Sequence, residues 1–213
     1  NTRKLYRSFT IPKGNKKRLI DAPKVSLKVI QKWLGFHLSL AVNDLLSECA
    51  HGFRPKMSHL TAALTHCNAK CIYSIDIRDF FQTTNKDKVL EALESIGYTK
   101  KGAEVIANLS CLNGALAQGS PASPVLSNIV FRFLDDKIST LAKHNGIKYT
   151  RYADDLTFSS ESDIPESFRA EVKKIVTSQG WELSEEKEHF SKMPNRLKVH
   201  GLLVHGDTPR LTK

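Results

Sequence analysis

The sequence has no apolar run near the roughly 18–20 residues that a membrane-crossing helix needs, and no secretory leader pattern, which predicts no membrane partner. Cysteine is scarce. Four in 213 residues cannot staple a chain of this size, which fits reduced thiols and predicts a cytoplasmic location. Repeats, low-complexity tracts and linkers are absent, and a chain that is 40% hydrophobic and 25% charged is not wholly disordered. Acid is almost missing from one end: residues 1–32 hold ten Lys and Arg against Asp21 alone, a charge of +9, while the remainder balances 22 basic with 21 acidic side chains. A cationic segment on a near-neutral body suits a polyanion, because each neutralised phosphate releases counterions, although a solubilising surface would give the same count. An initiating methionine is lacking too, so the sequence, which starts at Asn1, reads as a piece of a longer protein.

What is present is an interleaving of two periods. Residues 9–20 predict a basic hairpin turning at Lys13-Gly14-Asn15-Lys16. Leu27, Ile30, Leu34, Leu38, Ala41 and Leu45 recur at helical spacing, and Leu60, Ala63, Leu64 and Cys67 do so over a shorter stretch. Cys71, Tyr73, Ile75 and Ile77 alternate as in a strand, which turns Asp76 to the opposite face. Two helices through Val89–Ile96 and Val105–Leu109 follow, then a long one over residues 123–142, with Ser123 and Pro124 as its start signals. Residues 147–159 predict strand, tight turn, strand; a helix through Phe168–Val176 ends at Gly180; and residues 199–210 predict a hairpin turning at Gly206-Asp207. Without a strict βαβ rhythm the fold class is α+β.

Two acidic sites stand out: Asp76, with Asp79 nearby, at the end of an apolar strand, and Asp154-Asp155 at a turn between strands. Carboxylates at a buried strand end are costly unless a cation meets them. Mg²⁺ takes one or two carboxylates and completes its shell with water and substrate phosphates, and a pair of such ions clamps the oxygens of an in-line phosphoryl displacement. Alone, Asp154-Asp155 is a solvated turn; Asp76 and the basic segment favour the metal-binding reading. Asp135-Asp136, late in an amphipathic helix, reads as a solvated face. His66, Cys67 and Cys71 lack a fourth ligand for zinc, and no serine or cysteine nucleophile accompanies the histidines.

In order along the chain, YRSFTIPKGNKKRLIDAP, SIDIRDFF (residues 74–81), LAQGSPASP (residues 116–124) and Tyr152-Ala153-Asp154-Asp155 resemble the motifs of reverse transcriptases. Ala62 to His66 and Val199-His200-Gly201 are similar to the Asn-Ala-x-x-His and Val-Thr-Gly segments of the retron branch. Departures are Ala117 for proline, Ala62 for asparagine and His200 for threonine; none touches an expected metal ligand, and they bear on the branch.

The resemblance implies a right-hand polymerase: an antiparallel palm sheet backed by helices, and helical fingers with a basic N-terminal hairpin. Fingers would comprise residues 1–50 and 85–120 and palm residues 51–84 and 121–213, with the thumb lacking. It implies two Mg²⁺ ions, replaceable by Mn²⁺, on Asp76, Asp154, Asp155 and the Ile77 carbonyl. Lys13, Arg18 and the amides of Asp79 and Phe80 would hold the incoming dNTP. Phe81 would exclude a ribose 2′-hydroxyl, with a plain core phenylalanine as the alternative. Gln118 would position the nucleotide, Gly119 and Ser120 would allow close backbone approach, and Lys187 would protonate pyrophosphate unless it merely closes a Glu-rich turn. Residues 199–204 would grip the primer, and Gly52 and Phe53 would contact template or support the palm. The implied activity is RNA-directed DNA synthesis on a structured noncoding RNA, in anti-phage defence with an effector protein. The alternatives are a CRISPR, group II intron or diversity-generating reverse transcriptase, a template-independent abortive-infection polymerase, or a non-enzymatic module that binds RNA or a toxin.

Overall fold

A computed structural model describes the backbone of residues 2–14 and 16–212, and the side chains of these except Thr2, Lys13 and Lys16. The chain divides into two compact units, residues 1–45 with 79–131 and residues 46–78 with 132–213.

The first unit begins with the expected hairpin, longer than the sequence pattern suggests: β1 (Tyr6–Lys13) pairs antiparallel with β2 (Lys16–Pro23). Asn15, at its turn, lies outside the described residues. A two-stranded ribbon is marginal alone; here the Asp21 N–H donates to the Gln118 carbonyl at 2.9 Å and the Lys24 N–H to the Leu5 carbonyl at 2.8 Å. Next comes α1 (Val25–Val42). Its buried residues are Leu27, Gln31, Leu38 and Val42, whereas Ile30 and Leu45 of the expected stripe are exposed. The stripe is rotated because Gln31 is drawn inward: its side-chain amide donates to the Tyr6 hydroxyl at 2.7 Å and to the Leu109 carbonyl at 2.6 Å. The short α3 (Phe80–Thr83), with α4 (Lys86–Ser95) and α5 (Lys100–Ser110), and the hairpin β4 (Cys111–Leu112)–β5 (Ala115–Leu116) complete this unit with the start of α6 (Ser123–His144). Asn85 and Thr99 cap α4 and α5, accepting from Lys88 and Gly102 N–H groups.

The second unit is built on a four-stranded antiparallel sheet, β6 (Lys148–Tyr152), β7 (Asp155–Ser160), β3 (Cys71–Asp76) and β8 (His189–Lys192) in that order. One face carries a row of rings in cross-strand register, Tyr149, Phe158, Tyr73 and Phe190, with centroids 4.9, 5.9 and 6.4 Å apart. Phe168 of α7 (Glu166–Ser178) packs edge-on against Phe158 at 5.5 Å. Asp135 lies on this side too, and here the expected solvated face is wrong. Asp135 is 1% exposed, and both its oxygens are bound by the fully buried Arg151 guanidinium at 2.6–3.1 Å, with the Tyr149 hydroxyl donating at 2.9 Å; Asp136 alone faces solvent. Helical spacing cannot reveal a partner that arrives from a strand sixteen residues later.

On the opposite face, α2 (His59–Thr65) and the C-terminal strands pack on Ile72 through Ala63, Leu197, Val199, Leu202 and Val204. His66, just after α2, is fully buried, and its two ring nitrogens meet the Ser159 and Thr150 hydroxyls, each at 2.7 Å. Cys67 and Cys71 are buried free thiols. The expected terminal hairpin is a three-stranded ribbon, β9 (Lys198–Val199), β10 (Leu202–Leu203) and β11 (Arg210–Leu211). It turns tightly at His200-Gly201 before the wider connection that holds Gly206-Asp207, because His200 at φ +49° and Gly201 at φ +83° supply the left-handed backbone that such turns need. Among the described residues no helix is long and apolar enough to cross a membrane.

Candidate active site

The sheet register brings the three aspartates together. Asp76, last in β3, stands opposite Asp155, first in β7. The Ile77 N–H donates to the Asp154 carbonyl at 2.9 Å, which makes Asp76 and Asp155 a narrow, non-hydrogen-bonded pair with Cα atoms about 4.5 Å apart and both side chains on one face. Like charges placed directly opposite oppose strand pairing. Asp154 sits in the two-residue turn from β6 to β7, after Ala153 at φ +58°, a strained value for a residue with a Cβ. Its carboxyl is pushed above the ordinary range, first by burial and then by the neighbouring Asp76 charge.

The turn is supported from the HGF segment, one of the two alternatives for Gly52 and Phe53. His51 N–H donates to the Arg151 carbonyl at 2.8 Å, and Gly52 lies so close that a Cβ there would come within 2.4 Å of the Ala153 nitrogen. Phe53 faces the Tyr152 ring at 6.5 Å. Burial, and then Arg54 and His200, lower the His51 imidazole to about 4, and its Nδ1 meets the Thr61 hydroxyl at 2.8 Å.

Lys187 and His200 approach the cluster from the C-terminal half. Lys187 Nζ lies 2.6 Å from Asp76 Oδ2, at the end of a 3-10 turn, Glu185–Lys187. His200 Nδ1 lies 3.4 Å from Asp155 Oδ2. Residues 182–184 run antiparallel to residues 76–78: Arg78 N–H donates to Glu182 O and Ser184 N–H to Asp76 O, both at 2.8 Å, around an Ile77–Leu183 bridge. In that pattern the N–H and C=O of Ile77 both point away from Leu183, toward the Asp154 turn. No three His, Cys, Asp or Glu side chains among the described residues already converge as a ligand cage. The donor set nonetheless suits a hard divalent cation, since Mg²⁺ uses one or two carboxylates and keeps water and phosphate as its other ligands. The raised Asp154 and the ion-paired Asp76 are both sites where positive charge is favoured.

The remaining expected residues lie in the first unit. Asp79 stands at the N-cap position of α3 at φ +47°, without a side-chain cap; Phe80 is 4% exposed, edge-on to Phe131 at 5.8 Å, and Phe81 beside it is half-buried. The Gln82 side-chain amide donates to Gln118 Oε1 at 2.6 Å. Gly119, at φ +135°, lies against β2, where a Cβ would come 2.8 Å from the Asp21 carbonyl oxygen. Arg18 is half-exposed on β2, and the Lys13 side chain lies outside the described residues. Sequence reasoning missed Ser184, whose hydroxyl donates to Asp76 Oδ1 at 3.1 Å, although it lies in the same LSEEK segment as Lys187.

Residues 11–203 match the family described as reverse transcriptase (RNA-dependent DNA polymerase). The retron Ec86 reverse transcriptase of Escherichia coli is 33% identical over 204 residues, covering 93% of this chain and 63% of that protein. The retron Mx65 reverse transcriptase of Myxococcus xanthus is 34% identical over 221 residues, covering 94% and 51%. The chain thus spans between half and just under two thirds of these curated relatives. Among solved structures, apo telomerase of Candida tropicalis, truncated from the C-terminal domain, superposes with a TM-score of 0.70 at 13% identity, over 97% of this chain and 55% of that one, a likeness of fold. The aspartate register, the strained turn and these matches agree: the chain belongs to the reverse transcriptase family, with its relatives among the retron enzymes.

Proposed function

We propose that the protein is an RNA-directed DNA polymerase of retron type, extending a primer 3′-hydroxyl with dNTPs on a structured noncoding RNA. The observation that carries this reading is the narrow Asp76–Asp155 pair with Asp154 in the adjoining strained turn. Enzymes of this family generally use divalent metal ions; the oxygen donors here suit Mg²⁺, with Mn²⁺ as a substitute. Asp76, Asp154, Asp155 and the Ile77 carbonyl would hold two ions. Bound there, they would neutralise charge on the attacking and leaving oxygens of the phosphoryl transfer.

The rest falls to the chain's own groups. Lys13, Arg18 and the amides of Asp79 and Phe80 bind the triphosphate, Gln118 orients the nucleotide with Gly119, and half-buried Phe81 bars a 2′-hydroxyl. Lys187 carries a proton toward the departing pyrophosphate. Fingers are assigned to residues 1–50 and 85–120, palm to residues 51–84 and 121–213, and the β9–β10 hairpin to primer binding. The +9 segment supports binding of template RNA and DNA product. By family analogy the biological role is cytoplasmic anti-phage defence with an effector protein.

Primer extension on an annealed RNA template, with Mg²⁺ and dNTPs, tests this reading. Templated, chelator-sensitive synthesis is expected. Synthesis that ignores the template would favour an abortive-infection polymerase, and none at all a binding module.

A further inference from the structure

We propose that Ser184 is a positioning residue for the catalytic carboxylates, holding one oxygen of Asp76 so that the other is presented to a cation; the inference rests on the metal-dependent reading above. Ser184 is 4% exposed and grips Asp76 twice, through its N–H on the main-chain carbonyl at 2.8 Å and through its hydroxyl on Oδ1 at 3.1 Å. Asp76 is therefore fixed from both edges of its strand, by β7 on one side and by residues 182–184 on the other.

The use of the hydroxyl is informative. Ser184 occupies the N-cap position of the 3-10 turn, where a serine ordinarily accepts a hydrogen bond from a turn amide, yet its side chain makes no such cap. Its single proton goes to Asp76 Oδ1 instead. Oδ2 is left for a cation and meets Lys187 Nζ at 2.6 Å. Asp155 is held far more loosely, with Thr157 Oγ1 at 3.5 Å and His200 Nδ1 at 3.4 Å, and its side chain is 39% exposed against 14% for Asp76. Of the facing pair, Asp76 is the preorganised member, and a carboxylate oriented in advance binds its ion without reordering.

The test compares Ser184→Ala and Ser184→Thr with the wild-type chain by calorimetric titration with Mn²⁺, thermal unfolding and RNA-templated primer extension at varied Mg²⁺. Ser184→Ala is expected to weaken Mn²⁺ binding about tenfold and to raise half-saturating Mg²⁺ in step, while Ser184→Thr, which keeps the hydroxyl, stays within about twofold. Mn²⁺ affinity unchanged in a folded Ser184→Ala protein overturns the proposal, and so does a loss confined to thermal stability. Should Ser184→Ala fail to fold, Ser184→Cys, which keeps the shape with a weak donor, takes its place with the same expected loss. Mn²⁺ binding that depends on Ser184 in a protein without primer extension would sink the polymerase reading and leave this one standing. Extension with Mn²⁺ affinity indifferent to Ser184 would do the reverse, and a wild-type chain that takes up no Mn²⁺ overturns both.

Discussion

The two faces of the four-stranded sheet each carry aspartate, and they treat it in opposite ways. On the aromatic face, Asp135 is closed off with Arg151 and Tyr149, every charge answered from within the protein. At the end of the other face, Asp76, Asp154 and Asp155 are set side by side, with two of them opposed in the narrow register and the third in a strained turn. Burial alone does not separate the two sites. Asp135 is the more buried and is matched by a guanidinium, whereas the cluster sets three carboxylates together with Lys187 paired to Asp76, and burial and the Asp76 charge disfavour ionised Asp154.

The sharpest way to break the comparison is to neutralise one acid on each face. Asp154→Asn is expected to cost roughly 4 kcal/mol of transition-state stabilisation, about a thousandfold in primer extension. Its unfolding midpoint should be unchanged or slightly raised, because a disfavoured charge is removed. Asp135→Ala leaves the buried Arg151 guanidinium without its carboxylate and should destabilise the fold by about 3–5 kcal/mol in urea titrations. Burial alone would favour the neutral guanidine, but the Asp135 carboxylate outweighs it and holds Arg151 more firmly charged than usual.

A second contrast lies in the histidines that support the cluster's face. Burial, and then nearby positive groups, depress His66 to about 3, against about 6.5 in the unfolded chain. The neutral ring's contribution is complete above pH 6.5 and is lost as pH falls toward 3, about 3 kcal/mol by pH 4. His66→Gln should flatten the stability profile between pH 6.5 and 4, as read by denaturant midpoints across that range; an unaltered slope would place the acid sensitivity elsewhere. Smaller still is Gly52→Ala. A methyl aimed at the Ala153 backbone from 2.4 Å must displace the turn, costing about 1–3 kcal/mol. Extension activity per folded molecule should fall with it, and unchanged activity would detach the HGF segment from the site.

Much of this was legible in the sequence because it is local. The alternation that turned Asp76 away from Ile75 and Ile77, the turn at Ala153-Asp154 and the helix begun by Ser123-Pro124 each depend on residues a few positions apart, and each stands where expected. What escaped depends on partners distant in the chain. Gln31 rotates α1 because Tyr6 and Leu109 reach it; Asp135 is internal because Arg151 reaches it; Ser184 bears on Asp76 from 108 residues away. Polar side chains score as surface until such a partner is known. His66 follows the same rule: the sequence offers it no fourth zinc ligand to join and no other partner, and its two ring nitrogens meet hydroxyls 84 and 93 residues away.

The most direct measurement is RNA-templated primer extension, corrected for folded fraction, for Asp154→Asn and Asp135→Ala side by side. Asp154→Asn is expected to fold and to extend primers about a thousandfold more slowly per folded molecule, while Asp135→Ala loses chiefly its folded fraction and far less of its rate per folded molecule. Near-normal extension by Asp154→Asn would contradict that expectation.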